Sequence, residues 1–180
     1  MPERTVLYGT ADIDRALAKA AADVLTRRDP LPAIVGVRRG GLPVMERLQE
    51  IFTRTLGRPL DSGVVDINLY RDDWTLARAF PRVGPTDIGF TVEGRRILLV
   101  DDVLYTGRTV RAALDALSEF GRSACVELLV LVDRGHREMP IQADYAAFTI
   151  ATDAGEIVEV NSDGTAPGLE IVLMRPGRTP

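Results

Sequence analysis

The stretch from Ile97 to Leu117, ILLVDDVLYTGRTVRAALDAL, constrains the fold more than any other part of the sequence. Its first four residues are apolar, and a short apolar run is typical of a strand that is buried on both faces of a parallel sheet. Asp101 and Asp102 follow this run. Because ligands bind outside the carboxyl ends of the strands in open α/β sheets, we expect both carboxylates in a crevice rather than in the core.

The residues from Thr106 to Thr109 predict a phosphate site. Gly107 allows the backbone to approach an anion closely, and the helix predicted from about Thr109 to Phe120 points its free N–H groups at that anion. The threonine hydroxyls and Arg108 add further donors. Carboxylates beside a phosphate would repel it unless they hold ribose hydroxyls, directly or through a divalent cation, so the pattern favours a ribose phosphate. The alternative is a capped helix beside two solvated acids.

Other nucleotide motifs are absent from the sequence, which contains neither GxxxxGK[ST] nor GxGxxG, so ATP and NAD are not the first expectation. With 180 residues and 46% hydrophobic side chains, the chain can bury one sizeable core, and we expect a single domain over residues 1–180. A net charge of −4 argues mildly against non-specific binding of nucleic acid. No apolar stretch is long enough for a signal peptide or a membrane span, so we expect a cytoplasmic protein.

Two residues with reactive side chains are expected to have no catalytic role. Cys125 lies in an apolar run, so we expect it in the core. His136 is the only histidine, and we expect it to be structural or exposed because no Ser-His or Cys-His pair can be identified. The lack of further histidine and cysteine ligands argues against a structural zinc site.

Hydrophobic periodicity and turn residues predict alternating helices and strands. The first helix extends from Thr10 to Arg28, with Thr10 or Asp12 as its cap. This alternation predicts an α/β fold with a largely parallel twisted sheet, helices on both faces and a small β-rich hood from the late strands. The other predicted elements are a helix at 42–56 and strands at 33–37, 64–70, 123–132, 145–150, 155–160 and 169–174.

Two loops are further candidates for ligand contacts. Arg38, Arg39, Gly40 and Gly41 follow a predicted strand, and paired cations on a flexible backbone suit a pyrophosphate; an ordinary turn is the alternative. The segment 74–90 contains prolines and glycines without a clear period, and a long loop of this kind is often a lid over a site.

Three segments resemble one protein family. The segment 100–117, VDDVLYTGRTVRAALDAL, is similar to the motif with which type I phosphoribosyltransferases bind 5-phosphoribosyl pyrophosphate (PRPP), in the version found in the PyrR family. The resemblance extends to 67–73 and 131–141 and covers the chain from about residue 11 to 160. PyrR proteins are pyrimidine-operon attenuation regulators that also act as uracil phosphoribosyltransferases.

The resemblance implies a type I phosphoribosyltransferase fold with a hood and tail from about residue 133 to 180. It implies a pyrimidine-salvage reaction in which uracil and PRPP yield UMP and pyrophosphate with Mg²⁺. It also implies a homo-oligomer, either a dimer or a tetramer, and UMP-dependent transcription attenuation through binding of pyr mRNA. The alternatives are a phosphoribosyltransferase for another base and a UMP- or PRPP-sensing regulator with little turnover.

The resemblance also implies residues for the ribose and the pyrophosphate. Asp101 and Asp102 would hold the ribose diol and, through ribose or water, Mg²⁺. The family pattern Thr-Arg-Gly stands where this chain has Arg39-Gly40-Gly41, so the cation of the pyrophosphate loop has shifted by one position. The residues implied for the departing pyrophosphate are Arg38, Arg39, Gly40 and Arg71.

The base and the 5′-phosphate are implied to lie on either side of the ribose. By resemblance, the base would lie near Asp133, Arg137 and the segment around Val158. The implied phosphate loop consists of Val103, Leu104, Tyr105, Thr106, Gly107, Arg108 and Thr109.

The residue at position 105, which is tyrosine in this chain, differs between pyrimidine and purine enzymes of the family that the chain resembles. Hypoxanthine-guanine relatives have an aspartate four residues after the first acid of the pair, where it assists proton movement at the purine imidazole ring. Since uracil has no imidazole ring, tyrosine at this position favours a pyrimidine base.

An RNA-binding face is implied partly on the first helix. Phe148, Ala154 and Ile157 stand where basic residues are common in the family, and each missing phosphate contact weakens binding. RNA regulation is therefore either retained through a smaller patch or absent. The residues of that smaller patch are Arg15, Lys19, Arg27 and Arg28.

Overall fold

The computed structural model describes residues 3–27, 30–67, 86–162, 164 and 168–177. Six strands form the main sheet: β2 (Ala33–Val37), β3 (Ser62–Val65), β4 (Asp87–Ile88), β5 (Arg96–Leu104), β6 (Cys125–Asp133) and β7 (Tyr145–Thr149). Their order is β4-β3-β2-β5-β6-β7, and all neighbours are parallel except β3 and β4. The largely parallel sheet predicted from the sequence is confirmed.

Helices cover both faces of this sheet, as the alternation of elements predicts. The helices in the described ranges are α1 (Thr10–Thr26), α2 (Gly41–Leu56) and α3 (Arg108–Ser118). Leu98 and Val100 of β5 join the hydrophobic cluster that contains the buried faces of α1 and α2. Ile97 and Leu99 point the other way, into the cluster that contains α3. Strand β5 is therefore buried on both faces, which explains its continuous apolar sequence.

A second, antiparallel sheet packs against the α1 and α2 side. It consists of β1 (Glu3–Tyr8), β8 (Ile157–Ser162) and β9 (Leu169–Arg175) in the order β1-β9-β8. Val158, Ile171 and Leu173 of this sheet lie in the same hydrophobic cluster as α1 and α2. The sequence pattern predicts β8 and β9 but not β1, and the predicted strand at 145–150 belongs to the main sheet as β7.

Several predicted details differ from the structure. The expected core residue Cys125 is exposed, because it is the first residue of β6 at the edge of the packed layers. Helix α1 has Gly9 as its N-cap rather than Thr10 or Asp12, although the Asp12 carboxylate accepts the Gly9 N–H at 3.4 Å. The Thr10 hydroxyl instead donates to the Leu169 carbonyl at 2.9 Å and so links α1 to β9.

The predicted strand at 64–70 and the predicted lid at 74–90 are described only in part. Strand β3 starts earlier than predicted and ends at Val65. Asp87–Ile88 at the end of the predicted lid forms β4, which pairs with β3. The rest of both predictions, including Arg71, lies outside the described residues. No helix in the described ranges is both long and apolar enough to cross a membrane.

Candidate active site

Three loops meet at the carboxyl edge of the main sheet. Strands β2, β5 and β6 are adjacent and parallel, so the loops that follow them emerge at the same edge. Two of these loops are tied together through their main chains, since the Thr106 carbonyl accepts the N–H groups of Glu138 and Met139 at 3.0 Å. The structure therefore places three of the predicted site segments side by side: 38–41, 101–109 and 133–141.

The loop 38–41 presses its glycines against strand β5. A Cβ atom on Gly40 would lie 2.0 Å from Oδ2 of Asp102, and one on Gly41 would lie 2.4 Å from the Val100 carbonyl oxygen. A side chain at Gly41 would meet fixed backbone, whereas a side chain at Gly40 would have to displace the Asp102 carboxylate. Arg38 is half-buried and Arg39 is exposed, with Arg39 in the left-handed region at φ 81°. The predicted pyrophosphate loop thus lies directly on the predicted ribose carboxylate.

The two aspartates occupy different environments. Asp102 is half-buried, and its Oδ1 accepts the Val103 N–H at 2.8 Å. Asp101 is only 3% exposed, and its Oδ1 accepts the Asp102 N–H at 3.0 Å. Burial raises the pKa of the Asp101 carboxyl well above its usual range, and the neighbouring Asp102 raises it further.

The expectation that both carboxylates lie in a crevice is wrong for Asp101. Strand β5 does not end at Val100 but continues to Leu104, which pairs with Asp133 of β6. Asp101 is consequently inside the strand, where it pairs with Val130, and only Asp102 has an accessible carboxylate.

The predicted phosphate segment begins α3. Gly107 is the N-cap residue with φ 90°, and a Cβ atom there would lie 3.1 Å from Cβ of Met139. The Thr106 hydroxyl accepts the Arg108 N–H at 3.4 Å, and Thr109 is half-buried in the first turn. The Arg108 guanidinium donates to the Glu138 carboxylate at 2.7 Å on the surface. The helix terminus has the geometry of an anion site, while Arg108 already has a carboxylate partner.

The residues proposed for the base side mostly contact one another. Arg137 pairs with Asp133 at 2.5 Å and also donates to the carbonyls of Tyr105 at 2.8 Å and Ile141 at 3.0 Å. This pair therefore braces the loop that follows β6. Val158 is 5% exposed in the core, so its side chain offers almost no surface to a ligand.

Arg134 was not predicted as a site residue from the sequence. It is 6% exposed, and its guanidinium lies 4.2 Å from the centroid of the Tyr105 ring. The His136 ring contacts the edge of the same tyrosine at 5.7 Å, and His136 Nε2 lies 2.7 Å from the Thr152 carbonyl oxygen. The only sequence signal was the position of Arg134 directly after a buried strand, inside the segment 131–141.

The residues predicted for RNA contact do not form one free patch. Arg15 pairs with Asp12 at 2.5 Å, Lys19 is exposed, and Arg28 lies outside the described residues. Arg27 forms an ion pair with Glu127 at 2.8 Å and so belongs to a group of charged residues at the amino ends of the strands, away from the candidate site. Phe148, which stands where basic residues are common in the family, packs within the fold, since its ring stacks on the Tyr8 ring with a centroid distance of 4.2 Å. Ala154 and Ile157 are exposed.

Comparisons with known proteins identify the class to which this arrangement belongs. The family model of the phosphoribosyl transferase domain matches residues 8–163. The hypoxanthine phosphoribosyltransferase of Trypanosoma cruzi is similar in structure, with a TM-score of 0.68 at 19% identity, over 96% of this chain and 97% of that one. A hypoxanthine phosphoribosyltransferase from Staphylococcus aureus has a TM-score of 0.62 at 21% identity, over 83% and 79%. The fold is that of the type I phosphoribosyltransferases.

Relatives with higher sequence identity show to which family of phosphoribosyltransferase-domain proteins the chain belongs. The chain is 43% identical over 179 residues to the bifunctional protein PyrR of Geobacter sulfurreducens, which covers 96% of this chain and 99% of that protein. It is 44% identical to the bifunctional protein PyrR of Deinococcus radiodurans, over 91% of this chain and 92% of that protein. The chain therefore belongs to the PyrR family of phosphoribosyltransferase-domain proteins.

Proposed function

We propose that this protein is a uracil phosphoribosyltransferase that converts uracil and PRPP to UMP and pyrophosphate in the cytoplasm. The contact between Gly40 and the Asp102 carboxylate carries this proposal, because it puts a cationic loop directly on a half-exposed acid. The helix terminus at Gly107 follows on the same strand. An acid for a ribose diol, an amide cradle for its 5′-phosphate and arginines for a pyrophosphate are the groups that PRPP requires.

Each of these groups has one task in the proposed reaction. Asp102 holds the ribose hydroxyls, and Asp101 orients Asp102 by accepting its N–H group from within the strand. The first turn of α3 with Thr106 and Thr109 holds the 5′-phosphate. The arginines Arg38, Arg39 and Arg71 neutralise the departing pyrophosphate.

A magnesium ion is compatible with this site. No cluster of three or more His, Cys, Asp or Glu side chains that could hold a metal occurs among the described residues. Mg²⁺ typically binds through one or two carboxylates and takes its other ligands from substrate oxygens and water. Asp102, with Asp101 behind it, would hold the ion on this basis. When bound, Mg²⁺ would supply positive charge to the pyrophosphate.

The protein contributes position and charge to the displacement at the ribose C1. The bond from C1 to the pyrophosphate oxygen breaks as a bond from C1 to N1 of uracil forms, and the N1 proton is released. Positive charge develops on the ribose during this step, so fixed groups that hold both ends of PRPP lower the barrier. Tyr105 supplies no carboxylate for a purine ring, which supports a pyrimidine base.

The choice of base is tested with two substrates. The purified protein with PRPP and Mg²⁺ is expected to form UMP from uracil and no IMP from hypoxanthine. Asp102→Asn should abolish UMP formation at subsaturating PRPP while the circular dichroism spectrum stays unchanged. Asp115→Asn removes an exposed carboxylate from α3 and should leave the rate unaltered. Comparable rates with hypoxanthine would refute the pyrimidine assignment.

Regulation by RNA is a second candidate function, and the relatives' name, bifunctional, favours it. The exposed Lys19 and Arg15 on α1 are the available contacts, whereas Arg27 has a structural partner. Filter binding of the protein to the leader of its own pyr operon, with UMP present, is expected to weaken in Lys19→Glu. Arg54→Glu changes a basic residue in the last turn of α2 and serves as the charge-matched control. Equal binding by both variants would mean that the RNA face lies elsewhere.

A further inference from the structure

Arg134 is a buried cation beside the candidate active site. It is 6% exposed, and within the described part of the chain its one electrostatic partner of opposite charge is the more distant Glu156 carboxylate, whose pKa is lowered by hydrogen bonds from the Asp153 N–H and Arg175 and, to a smaller extent, by Arg134. Its guanidinium donates to the Glu156 carbonyl at 2.5 Å and to the Thr152 hydroxyl at 3.3 Å, and both acceptors are neutral. A buried charge whose hydrogen-bond partners are neutral is costly, so every further favourable contact of the guanidinium offsets part of its desolvation.

The ring of Tyr105 provides one such contact. The Arg134 guanidinium carbon lies 4.2 Å from the ring centroid, within the range of a cation–π interaction. Tyr105 stays 38% exposed and directly precedes Thr106 and Gly107 of the phosphate segment. The orientation of the ring is therefore coupled to the backbone that begins α3.

Arg134 thus links three segments of the chain. It lies in the loop after β6, contacts the loop between β5 and α3 through Tyr105, and binds the segment 152–156 through two hydrogen bonds. The segment 152–156 is in turn linked to β9, because the Glu156 carboxylate forms an ion pair with Arg175 of that strand at 2.8 Å. A change in any one segment would alter how the tyrosine is held.

We infer that Arg134 is a positioning residue that maintains the phosphate-binding conformation of the loop 105–109 by holding the Tyr105 ring. The inference rests on the proposed function, because it takes this loop as the site of the PRPP 5′-phosphate. When the ring is not held, the competent loop conformation becomes less populated, and the apparent affinity for a sugar phosphate falls by the same fraction.

The experiment measures the binding of ribose 5-phosphate by calorimetry and the KM values for PRPP and uracil. Arg134→Met and Tyr105→Leu are each expected to raise the Kd of ribose 5-phosphate and the KM of PRPP by about tenfold. For Arg134→Met, the KM of uracil and kcat should change by less than about twofold. Tyr105→Phe keeps the stacked ring and is expected to raise the Kd of ribose 5-phosphate and the KM of PRPP less than Tyr105→Leu does.

A double variant separates an action through Tyr105 from direct contact with the ligand. If Arg134 acts through the ring, Arg134→Met in the Tyr105→Leu background causes no further loss. Multiplied losses would show that Arg134 binds the ligand itself, which would overturn the inference. Arg95→Met is the matched control, because Arg95 lies over the Phe90 ring at 5.6 Å just before the start of β5, at the opposite end of that strand.

Failure of the inference can be distinguished from failure of the proposed function. A wild-type protein that binds ribose 5-phosphate but forms no UMP refutes the proposed function, and the Kd comparison still decides the role of Arg134. A wild-type protein that binds no ribose 5-phosphate refutes both. If Arg134→Met does not fold, the two variants at the partly exposed Tyr105 decide whether the stacked ring matters for binding. Equal Kd values of ribose 5-phosphate for Tyr105→Leu and Tyr105→Phe would overturn the inference.

Discussion

Buried carboxylates occur at both ends of the parallel strands in the main sheet, but their electrostatic surroundings are opposite. At the amino edge, Glu127 accepts from Arg96 at 2.7 Å, from Arg27 at 2.8 Å and from the Tyr145 hydroxyl at 3.2 Å. At the carboxyl edge, Asp101 takes part in none of the ion pairs between described residues, and its neighbour Asp102 is another acid. The acid at one edge is neutralised by cations, whereas the acids at the other repel one another.

The pKa values of the two acids reflect this difference. Burial alone would raise the pKa of the Glu127 carboxyl, but the hydrogen bonds from Arg96 and Arg27 outweigh it and hold the pKa below its ordinary value of 4.5. Burial and Asp102 raise the pKa of Asp101. Removing one partner of a buried ion pair destabilises the fold strongly, whereas a buried acid without a cation lowers stability and is typical of sites where a ligand or metal can supply the missing charge.

Removing the charge at the amino edge should have the largest effect on stability. Glu127→Gln leaves the buried Arg96 guanidinium without a carboxylate and is expected to lower the free energy of unfolding by about 3 kcal/mol. Urea unfolding measures this change. The KM of PRPP should stay constant for the folded enzyme, because the network lies at the far end of β5.

The pH dependence of the same variant provides its control. Because the pKa of Glu127 is lowered in the folded state, its contribution is fully present above the ordinary value of 4.5 and is lost as the pH falls through the folded pKa. The stability difference between wild type and Glu127→Gln should therefore shrink on acidification below pH 4.5. A difference that grows with acid would contradict the pairing.

A single methyl group at the carboxyl edge should abolish most activity without a comparable loss of stability. Gly40→Ala places a Cβ atom 2.0 Å from the Asp102 carboxylate oxygen, although the φ of −70° at this position is one that alanine adopts freely. Displacing this carboxylate is expected to lower kcat/KM for PRPP about 100-fold. Gly89→Ala, with no atom within 4 Å of the added Cβ, is the matched control and should be silent. Normal activity of Gly40→Ala would show that Asp102 does not contact the substrate.

Neutralising the buried acid at the carboxyl edge should stabilise the protein. Because the pKa of Asp101 is raised in the folded state, its contribution to stability is present below its ordinary value of 3.8 and is lost as the pH rises through the folded pKa. Asp101→Asn keeps an oxygen acceptor for the Asp102 N–H and should unfold at a higher temperature than the wild type at pH 7. The two melting temperatures should converge near pH 3. A lower melting temperature at pH 7 would mean that Asp101 has a cation partner.

The smallest effect is expected at the rim of the crevice. Glu138→Gln removes the carboxylate that pairs with the exposed Arg108 and should change stability by less than about 0.5 kcal/mol. The KM of PRPP is expected to fall by about twofold, since the rim loses a negative charge. Asp115→Asn removes the partner of Arg111 one turn further along α3 and should leave that KM unchanged.

Much of the sheet could be predicted from the sequence because most of its strands are short apolar runs that are bounded by charged residues, glycines or prolines. The burial of Asp101 could not, because the end of β5 depends on pairing between Leu104 and Asp133, which are far apart in the sequence. The contact between Gly40 and Asp102 and the stacking of Arg134 on Tyr105 likewise join separate loops. Two adjacent glycines after a strand indicate that another part of the chain or a ligand approaches the backbone closely, but they do not show which group approaches.

Strand β1 was missed for a related reason. Its sequence, Glu3–Tyr8, has no clear alternation, and its partner is β9, with Thr5 opposite Leu173. Local propensity has little weight in an edge strand whose stability comes from a neighbour so distant in the chain. The RNA-binding patch was predicted from charge alone, and the structure assigns Arg27 of that patch to Glu127 instead.

The pairing of β1 with β9 has a consequence for biosynthesis. Both β1 and β8 pair with β9, so no part of the small sheet can close until residues 169–175 have left the ribosome. Until then, the apolar residues on α1 that pack against this sheet stay uncovered, although the strands and helices of residues 33–149 are already complete. The small sheet therefore depends on a contact between segments far apart in the chain, and we expect the nascent chain to be more prone to aggregate before residues 169–175 emerge than after.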